Sequence, residues 1–220
     1  MTNRQLLTVF LGLSLLLAAM GGPSRVAAQG PVPAGGDVID GLRRGGYVIY
    51  FRHAATNPEQ ADTDTTRLDR CDTQRNLSAD GRRMARELGG AFATLRIPVG
   101  RVVTSPFCRT VDTAQLAFGR HETSGALYFA MGAEKTQRER QSEELRQMLA
   151  TPPRPGTNTV IVSHHANLKE AVGLWPRREG DAHVFRPRPG GGFDHVGEVP
   201  IEEWSRRAVK AAQGLRPDGG

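Results

Sequence analysis

The stretch that decides the fold is YVIYFRH, residues 47–53. Its first five residues are β-branched or aromatic, which is typical of a strand buried in a sheet. A cation and an imidazole, Arg52 and His53, follow without a spacer. Ligands of open α/β sheets bind beyond the carboxyl ends of the strands. The pair is therefore either an exposed strand end of no consequence or one half of an anion-binding site.

Two further apolar runs end in the same way. Residues 101–105 (RVVTS) lead to Arg109, and residues 159–163 (TVIVS) lead to His164 and His165. If the three strands are parallel neighbours, arginines and histidines converge on one pocket. Guanidinium groups neutralise phosphoryl oxygens, and a neutral imidazole can attack phosphorus. The three strand ends together predict a site for a phosphoryl group.

Helices and strands alternate along the rest of the chain. Short strands at 182–185 and 193–199 flank a Pro- and Gly-rich turn, while residues 54–76 form a long polar loop without periodicity. This alternation predicts an α/β fold, a three-layer α/β/α sandwich with a mostly parallel central sheet. We expect a single domain over residues 37–213. The predicted helices cover residues 37–44, 78–95, 109–118, 134–149, 167–174 and 201–212.

Residues 1–28 have the pattern of a secretory signal peptide. Arg4 precedes an apolar run over residues 6–20, and small residues follow at the expected cleavage site. The run is shorter than the roughly 20 apolar residues that span a membrane, and a retained N-terminal anchor is the alternative. We therefore expect a periplasmic or secreted protein without an integral membrane span after processing. Residues 29–36 would form a flexible lead-in, and residues 214–220 a disordered tail.

Composition and histidine spacing argue against several function classes. The formal net charge is +6, but the basic residues are scattered without interleaved aromatic residues, so no nucleic-acid partner is predicted. The six histidines show no metal-ligand spacing, and we predict neither a metal nor another cofactor. The two cysteines are Cys71 and Cys108. In an oxidising compartment they would form a disulfide, and two buried free thiols are the alternative.

Four short motifs lie at the strand ends and at one helix start. They are Arg52-His53-Ala54, Leu77-Ser78-Ala79-Asp80-Gly81, Ser105-Pro106-Phe107-Cys108-Arg109 followed by Thr113-Ala114, and Val162-Ser163-His164. In order and spacing they resemble the signature of the histidine phosphatase superfamily, the phosphoglycerate mutase-like group. The family's Arg-His-Gly is Arg-His-Ala in this chain. The resemblance implies the phosphoglycerate mutase-like fold and hydrolysis of phosphomonoesters.

The resemblance also implies a role for each strand-end residue. His53 would be the nucleophile that becomes phosphorylated. Arg52 and Arg109 would bind the phosphate, and His164 would assist. The implied reaction proceeds through a covalent phosphohistidine. Together with the predicted signal peptide, the resemblance implies an exported, bacterial-type member of the family. The substrate would be a phosphorylated small molecule, a glycolipid or a phosphoprotein.

The long loop at residues 54–76 follows the nucleophile and should overhang the pocket. Asn57 lies close to the first motif and is a candidate contact of the phosphoryl group. Arg75 is a further candidate cation for substrate binding. A disulfide between Cys71 and Cys108 would tie the loop to the pocket wall, because Cys108 belongs to the motif that ends in an arginine. The loop is therefore expected to take part in substrate binding.

Two features depart from the family pattern. Alanine at position 54 restricts the backbone if that position needs a positive φ angle. In addition, no motif marks the general acid that would protonate an alkoxide leaving group. Glu179 is the favoured candidate, with Asp181 next and Glu122 third, and ordinary surface charge is the alternative for all three.

Three other function classes are compatible with the sequence. A phosphomutase would use the same nucleophile and rebind its product. A non-catalytic binder of phosphorylated ligands would keep the pocket without an efficient acid. The thermal stability of a structural envelope protein would not change when phosphate is added. Turnover of phosphomonoesters that is lost on substitution of His53 would separate the phosphatase from the last two classes.

Overall fold

The computed structural model describes residues 38–214. The predicted signal peptide and lead-in lie outside the described residues, as do residues 215–220 of the predicted tail, and these assignments stay predictions. Gly214, which was assigned to the tail, ends the last helix. Within the described range, no helix is both long and apolar enough to cross a lipid bilayer.

A six-stranded sheet forms the centre of the fold. In space the strands lie in the order β3-β2-β4-β1-β5-β6. Strands β1 to β4 are parallel to one another, whereas β5 is antiparallel to β1 and β6 is antiparallel to β5. The predicted sandwich with a mostly parallel central sheet is thus confirmed. The strands are β1 (Val48–Arg52), β2 (Val99–Thr104), β3 (Glu122–Thr123), β4 (Asn158–Ser163), β5 (Ala182–Pro187) and β6 (Phe193–Val199).

The register of the sheet brings three strand ends to one edge. In the β1–β4 pair, Arg52 lies opposite Ser163. In the β2–β4 pair, Thr104 lies opposite Val162. The segments that follow these three strands therefore leave the sheet side by side. This is the edge at which parallel α/β sheets bind ligands.

Helices cover both faces of the sheet. Helices α1, α2, α3 and α6 pack with one face, and α4 and α5 pack with the other. Two single-turn 3₁₀ helices, Cys71–Thr73 and Gly125–Leu127, lie in the loops. The α-helices are α1 (Val38–Leu42), α2 (Ala79–Thr94), α3 (Cys108–Phe118), α4 (Lys135–Ala150), α5 (His165–Val172) and α6 (Ile201–Gly214).

Strand β1 is apolar on both faces because both faces are covered. Ile49 and Phe51 point into the core beneath α2 and α6, and Val48 and Tyr50 point into the core beneath α4 and α5. The ring centroids of Phe51 and Trp204 are 5.7 Å apart. Full burial of side chains of this size stabilises the fold by about 1.5–3 kcal/mol each. This burial fixes the strand whose end carries Arg52.

The structure differs from the sequence prediction in short segments. Strand β3 was not predicted, because two exposed residues give no periodicity. Helix α5 begins at His165 rather than at residue 167, because β4 passes directly into the helix through His164 in an extended conformation. The predicted helix over residues 37–44 ends at Leu42. None of these changes moves a strand end away from the common edge.

Candidate active site

A cavity of about 100 Å³ lies at this edge of the sheet. The structure brings together there the four strand-end residues predicted to bind a phosphoryl group, and it adds Arg75 from the long loop. Three further lining residues had no predicted role. The cavity is lined by Arg52, His53, Asp62, Arg75, Arg109, Phe129, His164 and His165.

The ring of His53 is held in one tautomer. Its Nδ1 lies 2.9 Å from the carbonyl oxygen of Ala54. A carbonyl oxygen only accepts, so Nδ1 carries the proton and Nε2 keeps its lone pair. Among the residues of the described structure, no group forms a hydrogen bond with Nε2. Burial, followed by the charge of Arg109, lowers the pKa of His53 well below its ordinary value. The ring is thus a neutral base with one free nitrogen at the cavity.

His164 lies beside this ring at the end of β4. The ring centroids of the two histidines are 5.5 Å apart. His164 Nε2 lies 2.9 Å from the hydroxyl oxygen of Ser105, the residue that follows β2. Burial, and next the charge of Arg109, lowers the pKa of His164 well below its ordinary value. The second imidazole is therefore also neutral, and its position is fixed by the neighbouring strand end.

Arg109 enters the cavity from the first turn of α3. Its side chain is only 4% exposed, and Nη1 donates to Asp62 Oδ1 at 2.9 Å. The guanidinium carbon lies 4.5 Å from the centroid of the Phe107 ring, within the range of a cation–π contact. Burial lowers the pKa of Arg109, and the Asp62 carboxylate opposes that shift. The buried cation is thus held by one carboxylate and one ring face.

Arg52 approaches the cavity from the end of β1. Its Nη1 donates to the carbonyl oxygen of Arg177 at 2.8 Å. Its Nη2 lies 3.5 Å from Glu179 Oε1. Burial lowers the pKa of Arg52, and the charge of Glu179 opposes the shift. The guanidinium group is therefore oriented from one side and leaves donors for an anion in the cavity.

Glu179 lies next to the nucleophile candidate because the residue that follows it, Gly180, is hydrogen-bonded to the end of β1. The N–H of Gly180 donates to the carbonyl oxygens of His53 at 2.9 Å and Arg52 at 3.2 Å. Gly180 has a φ angle of 90°, and a Cβ atom there would lie 2.9 Å from side-chain atoms of two neighbours. Glycine is therefore required at this close approach. The result is a distance of 4.0 Å between Glu179 Oε1 and His53 Nδ1.

The carboxylate of Glu179 accepts three hydrogen bonds. The backbone N–H and the hydroxyl of Thr56 donate to it at 3.1 and 2.6 Å. Arg75 Nη2 donates at 2.7 Å, and Arg75 Nε also donates to the Thr56 hydroxyl oxygen at 2.7 Å. Glu179 thus joins the long loop to the end of β1. Of the three acid candidates in residues 38–214, it is the one whose carboxylate contacts side chains that line the cavity.

The other sequence candidates lie elsewhere. The side-chain oxygen of Asn57 accepts from the N–H of Glu59 at 3.0 Å, and Asn57 does not line the cavity. Asp181 is 1% exposed and accepts from the first N–H of α6 at 3.1 Å. Glu122 is exposed on β3 and pairs with Arg101 at the rim of a separate cleft of about 610 Å³. These three side chains do not line the cavity at the sheet edge.

Asp62 is a cavity residue that the sequence did not reveal. Its Oδ1 accepts from Arg109 Nη1 and from the backbone N–H of Arg75, both at 2.9 Å. It therefore connects the predicted phosphate ligand with the loop. Neither Asp62 nor Phe129 belongs to a motif or follows a strand of the predicted sheet. Their approach depends on loop geometry, for which the sequence offered no periodic signal.

The long loop is attached to the wall of the cavity by a covalent bond. Cys71 and Cys108 form a disulfide in the structure, with their Cα atoms 5.7 Å apart. The N–H of Cys108 also donates to the side-chain oxygen of Gln74 at 2.9 Å. These two bonds hold the loop against the start of α3. Between the two alternatives for the cysteines, the structure contains the disulfide.

Alanine fits the position at which the family has glycine. Among residues 38–214, Arg96 is the only non-glycine residue with a positive φ angle, so Ala54 has no left-handed strain. The N–H of Ala54 donates to the hydroxyl oxygen of Thr113 at 3.0 Å. The Thr113 hydroxyl in turn donates to the carbonyl oxygen of Arg109 at 2.7 Å. One side chain thus links the segment after the nucleophile candidate to α3.

The charges of the cavity favour an anion. Three guanidinium groups, of Arg52, Arg75 and Arg109, face two carboxylates, of Asp62 and Glu179, while both buried imidazoles are neutral. In the part of the chain that the structure describes, no three histidine, cysteine or acidic side chains are placed to hold a metal ion. The site can therefore bind and orient an anion beside an uncharged nucleophilic nitrogen.

Comparison with known proteins gives a match to a family model over part of the chain. Residues 48–127 match the family model described as the histidine phosphatase superfamily (branch 1). This segment begins with β1 and includes α3, so it contains the predicted nucleophile and the buried arginine of the second motif. No curated protein matches the sequence at a significant level.

Solved structures share the fold at low sequence identity. A phosphoserine phosphatase variant from Entamoeba histolytica, solved with phosphoserine, is 14% identical, covers 71% of this chain and 98% of its own, and has a TM-score of 0.51. The protein YhfR of Bacillus stearothermophilus is 18% identical, covers 70% of this chain and 98% of its own, and also has a TM-score of 0.51. These two structures share the fold of this chain, and residues 48–127 are similar to the histidine phosphatase superfamily.

Proposed function

We propose that the protein is a phosphomonoester hydrolase that acts through a covalent phosphohistidine on His53. The observation that supports this most strongly is the state of that side chain. His53 is buried, neutral and held with a free Nε2, among guanidinium groups that attract a phosphoryl anion. An imidazole in this state needs no separate base to act as a nucleophile.

In the first step the arginines hold the phosphoryl oxygens and Nε2 of His53 attacks phosphorus. The Nε2–P bond forms as the bond from phosphorus to the ester oxygen breaks. Arg52 and Arg109 stabilise the charge on the transferring group, and Arg75 adds a third cation. His164 Nε2 accepts from the Ser105 hydroxyl, and its Nδ1–H, which has no partner among the described residues, donates a hydrogen bond to the same group. The electron pair of the broken bond leaves on the ester oxygen.

A poor leaving group needs a proton at that oxygen. Glu179 is the proposed general acid, because it lies at the border of the cavity near the His53 ring. A bound phosphate would compete with Glu179 for the donors of Arg52 and Arg75, leaving the carboxyl group available to carry a proton. In the second step Glu179 accepts a proton from water, which attacks phosphorus and breaks the Nε2–P bond. Inorganic phosphate and free His53 result.

The proposed substrates are phosphorylated small molecules, glycolipids or phosphoproteins outside the cytoplasm. The signal-peptide pattern supports export to the periplasm or the medium. Cell fractionation of the full chain, with sequencing of the new N-terminus, tests this location. A protein that stays in the cytoplasm with Met1 intact would contradict it.

The mechanism is tested by trapping the intermediate. The wild-type protein is mixed with a radioactive phosphate ester and quenched in alkali, in which phosphohistidine is stable. We expect a label that acid removes and that His53→Ala does not acquire, together with loss of turnover of aryl phosphates. His121→Ala is the matched control, because His121 is exposed and lies on the segment between α3 and β3. Full activity of His53→Ala would overturn the mechanism.

A non-catalytic binder is the second candidate. It is favoured by the three hydrogen bonds that Glu179 accepts, since a general acid must instead donate. Turnover of aryl phosphates without turnover of alkyl phosphates would indicate a nucleophile that lacks its acid. Tight binding of inorganic phosphate without turnover of either ester would favour the binder.

A further inference from the structure

The cavity is too small for a whole organic phosphate ester. Its volume of about 100 Å³ is below the roughly 300–1,000 Å³ of pockets that enclose drug-sized ligands. A phosphoryl group bound between the arginines would fill most of it. The group esterified to phosphate must therefore lie across the rim, and the rim residues decide which groups fit there.

One side of the rim is aromatic. Phe129 and His165 line the cavity, and their ring centroids are 5.9 Å apart. The indole of Trp175 extends this surface, with its centroid 4.4 Å from that of His165. The three rings come from the segment after the second 3₁₀ helix, from the start of α5 and from the segment after α5. Three separate segments thus place rings in a row that leads outward from the cavity.

The outer ring of this row faces solvent. Trp175 is 45% exposed, whereas the other tryptophan, Trp204, is fully buried. Met131, two residues after Phe129, is 58% exposed. Of the large apolar side chains in residues 38–214, these two and Val209 are the exposed ones. Two of the three therefore lie on segments that border the proposed site.

The middle ring carries no charge at neutral pH. Burial, with the charge of Arg52 next, lowers the pKa of His165 to about 4. A neutral imidazole offers an aromatic face rather than a cation. The cavity is thus cationic at its base, where the arginines lie, and uncharged and aromatic along this part of its rim.

We propose that Phe129, His165 and Trp175 form a subsite for a leaving group with a ring that presents a flat apolar face. Aromatic rings and the C–H faces of sugar rings share this chemistry. The inference rests on the proposed function, and it narrows the substrates to ring-bearing phosphomonoesters rather than small acyclic ones. Trp175 would act as a specificity-determining residue without contact with the phosphoryl group.

Kinetics of Trp175 variants test the subsite. Ring contacts of this kind change kcat/KM by about twofold to tenfold. We expect Trp175→Ala to lower kcat/KM for 2-naphthyl phosphate by about tenfold and to leave glycerol 1-phosphate within about twofold of wild type. Trp175→Phe keeps a flat ring and should retain most of the activity on 2-naphthyl phosphate. Each ratio compares one substrate between variants, so leaving-group acidity cancels.

Glucose 6-phosphate distinguishes the two kinds of ring. If Trp175→Ala lowers kcat/KM for glucose 6-phosphate as much as for 2-naphthyl phosphate, the subsite also accepts sugar rings. If kcat/KM for glucose 6-phosphate stays near the wild-type value, the subsite is restricted to aromatic rings. Equal losses for all three esters, or no loss for any, would overturn the proposal. Thermal unfolding of Trp175→Ala should match wild type, because an exposed indole contributes little to the core.

A binding experiment separates failure of the subsite from failure of the proposed function. Phenylphosphonate and methylphosphonate are not hydrolysed, so they report on binding even if the protein turns over no ester. We expect phenylphosphonate to bind more tightly in wild type, and this preference to disappear in Trp175→Ala. Binding of phenylphosphonate should also change the tryptophan fluorescence of the wild-type protein but not that of Trp175→Phe. Equal affinity for the two phosphonates in wild type would overturn the subsite.

Discussion

The two halves of the site are held in place by different forces. His53 and His164 follow adjacent strands, and the register of β1 and β4 sets their separation. Asp62 and Arg75 instead come from an irregular loop that is held by side-chain hydrogen bonds and one disulfide. The strand ends share the stability of the core, whereas the loop depends on a few bonds of its own.

Exposure follows the same division. His53 and His164 are 4% and 1% exposed. The side chains of Arg75 and Asp62 are 37% and 21% exposed. Segments with few buried contacts open at lower free-energy cost than core strands. We therefore expect the proposed nucleophile, His53, to stay fixed, and the position of the long loop to depend on its local bonds.

The largest expected effect comes from releasing the loop. In the chain-entropy account, a disulfide that closes a loop of this length stabilises the folded state by about 4 kcal/mol. We expect Cys71→Ser/Cys108→Ser to lower the free energy of unfolding by up to that amount, measured by urea denaturation. Turnover should fall less than in His53→Ala, because the strand ends remain in the sheet.

Reduction of the wild-type protein provides the control for this prediction. Dithiothreitol should lower its free energy of unfolding toward that of the double variant and leave the variant unchanged. An unfolding curve that is the same with and without reductant would show that the disulfide does not support the loop. The stability of the loop half of the site would then not depend on the Cys71–Cys108 disulfide.

A smaller effect is expected at the bond between the halves. Glu179→Gln removes the proposed acid and the charge that faces Arg75 and Arg52. General acid catalysis contributes about 10²–10⁴-fold, so we expect kcat for alkyl phosphates to fall by at least about 100-fold. Aryl phosphates, which have good leaving groups, should be affected much less.

Glu122→Gln is the matched control for this substitution. Glu122 is exposed and pairs with Arg101 outside the cavity. Its substitution should therefore leave kcat for both alkyl and aryl phosphates unchanged. Exposed pairs of this kind contribute only about 0–1 kcal/mol to stability. Equal kinetics of Glu179→Gln on alkyl and aryl phosphates would remove Glu179 from the role of acid.

The smallest effect concerns the strand ends as acid is added. The pKa of His53 and that of His164 are lowered on folding, mainly by burial. Below the ordinary histidine pKa near 6.5, these two histidines are protonated in the unfolded chain but stay neutral in the folded protein. Each such histidine therefore lowers the free energy of unfolding by at most about 1.4 kcal/mol per pH unit as the pH falls.

Urea denaturation between pH 6.5 and pH 5 measures this slope. His53→Ala should be less pH-dependent than wild type by up to about 1.4 kcal/mol per unit, because one buried neutral group is gone. His121→Ala, which removes an exposed histidine, should keep the wild-type slope. Parallel slopes for wild type and His53→Ala would contradict a histidine that is held neutral by the fold.

The sequence was sufficient for the parts of the site that follow the sheet. Continuous apolar runs identified β1 and β4, and parallel pairing then brought Arg52, His53 and His164 to one edge. The second motif located Arg109 at the start of α3 in the same way. These predictions rest on strand periodicity and on the common edge of parallel strands, and both are repeated features of the fold.

The parts that could not be predicted depend on individual contacts between loops. Asp62 reaches Arg109 across 47 positions of the chain through one hydrogen bond. Nothing in the local sequence distinguishes it from the other acidic residues of the loop. Asn57 is also positioned by a single loop contact, because its side-chain oxygen accepts a hydrogen bond from the N–H of Glu59, and it does not line the cavity. Irregular loops have no periodic sequence pattern from which such contacts could be predicted.

The Thr113 hydroxyl has a mechanical consequence for the whole site. Its oxygen accepts a hydrogen bond from the N–H of Ala54, next to His53, and its O–H donates one to the carbonyl oxygen of Arg109. Any tilt of α3 that displaces the Arg109 guanidinium group must therefore pull on the backbone beside His53, the proposed nucleophile. Serine at this position would preserve the linkage, whereas valine, of nearly the same shape, would let strand and helix drift independently.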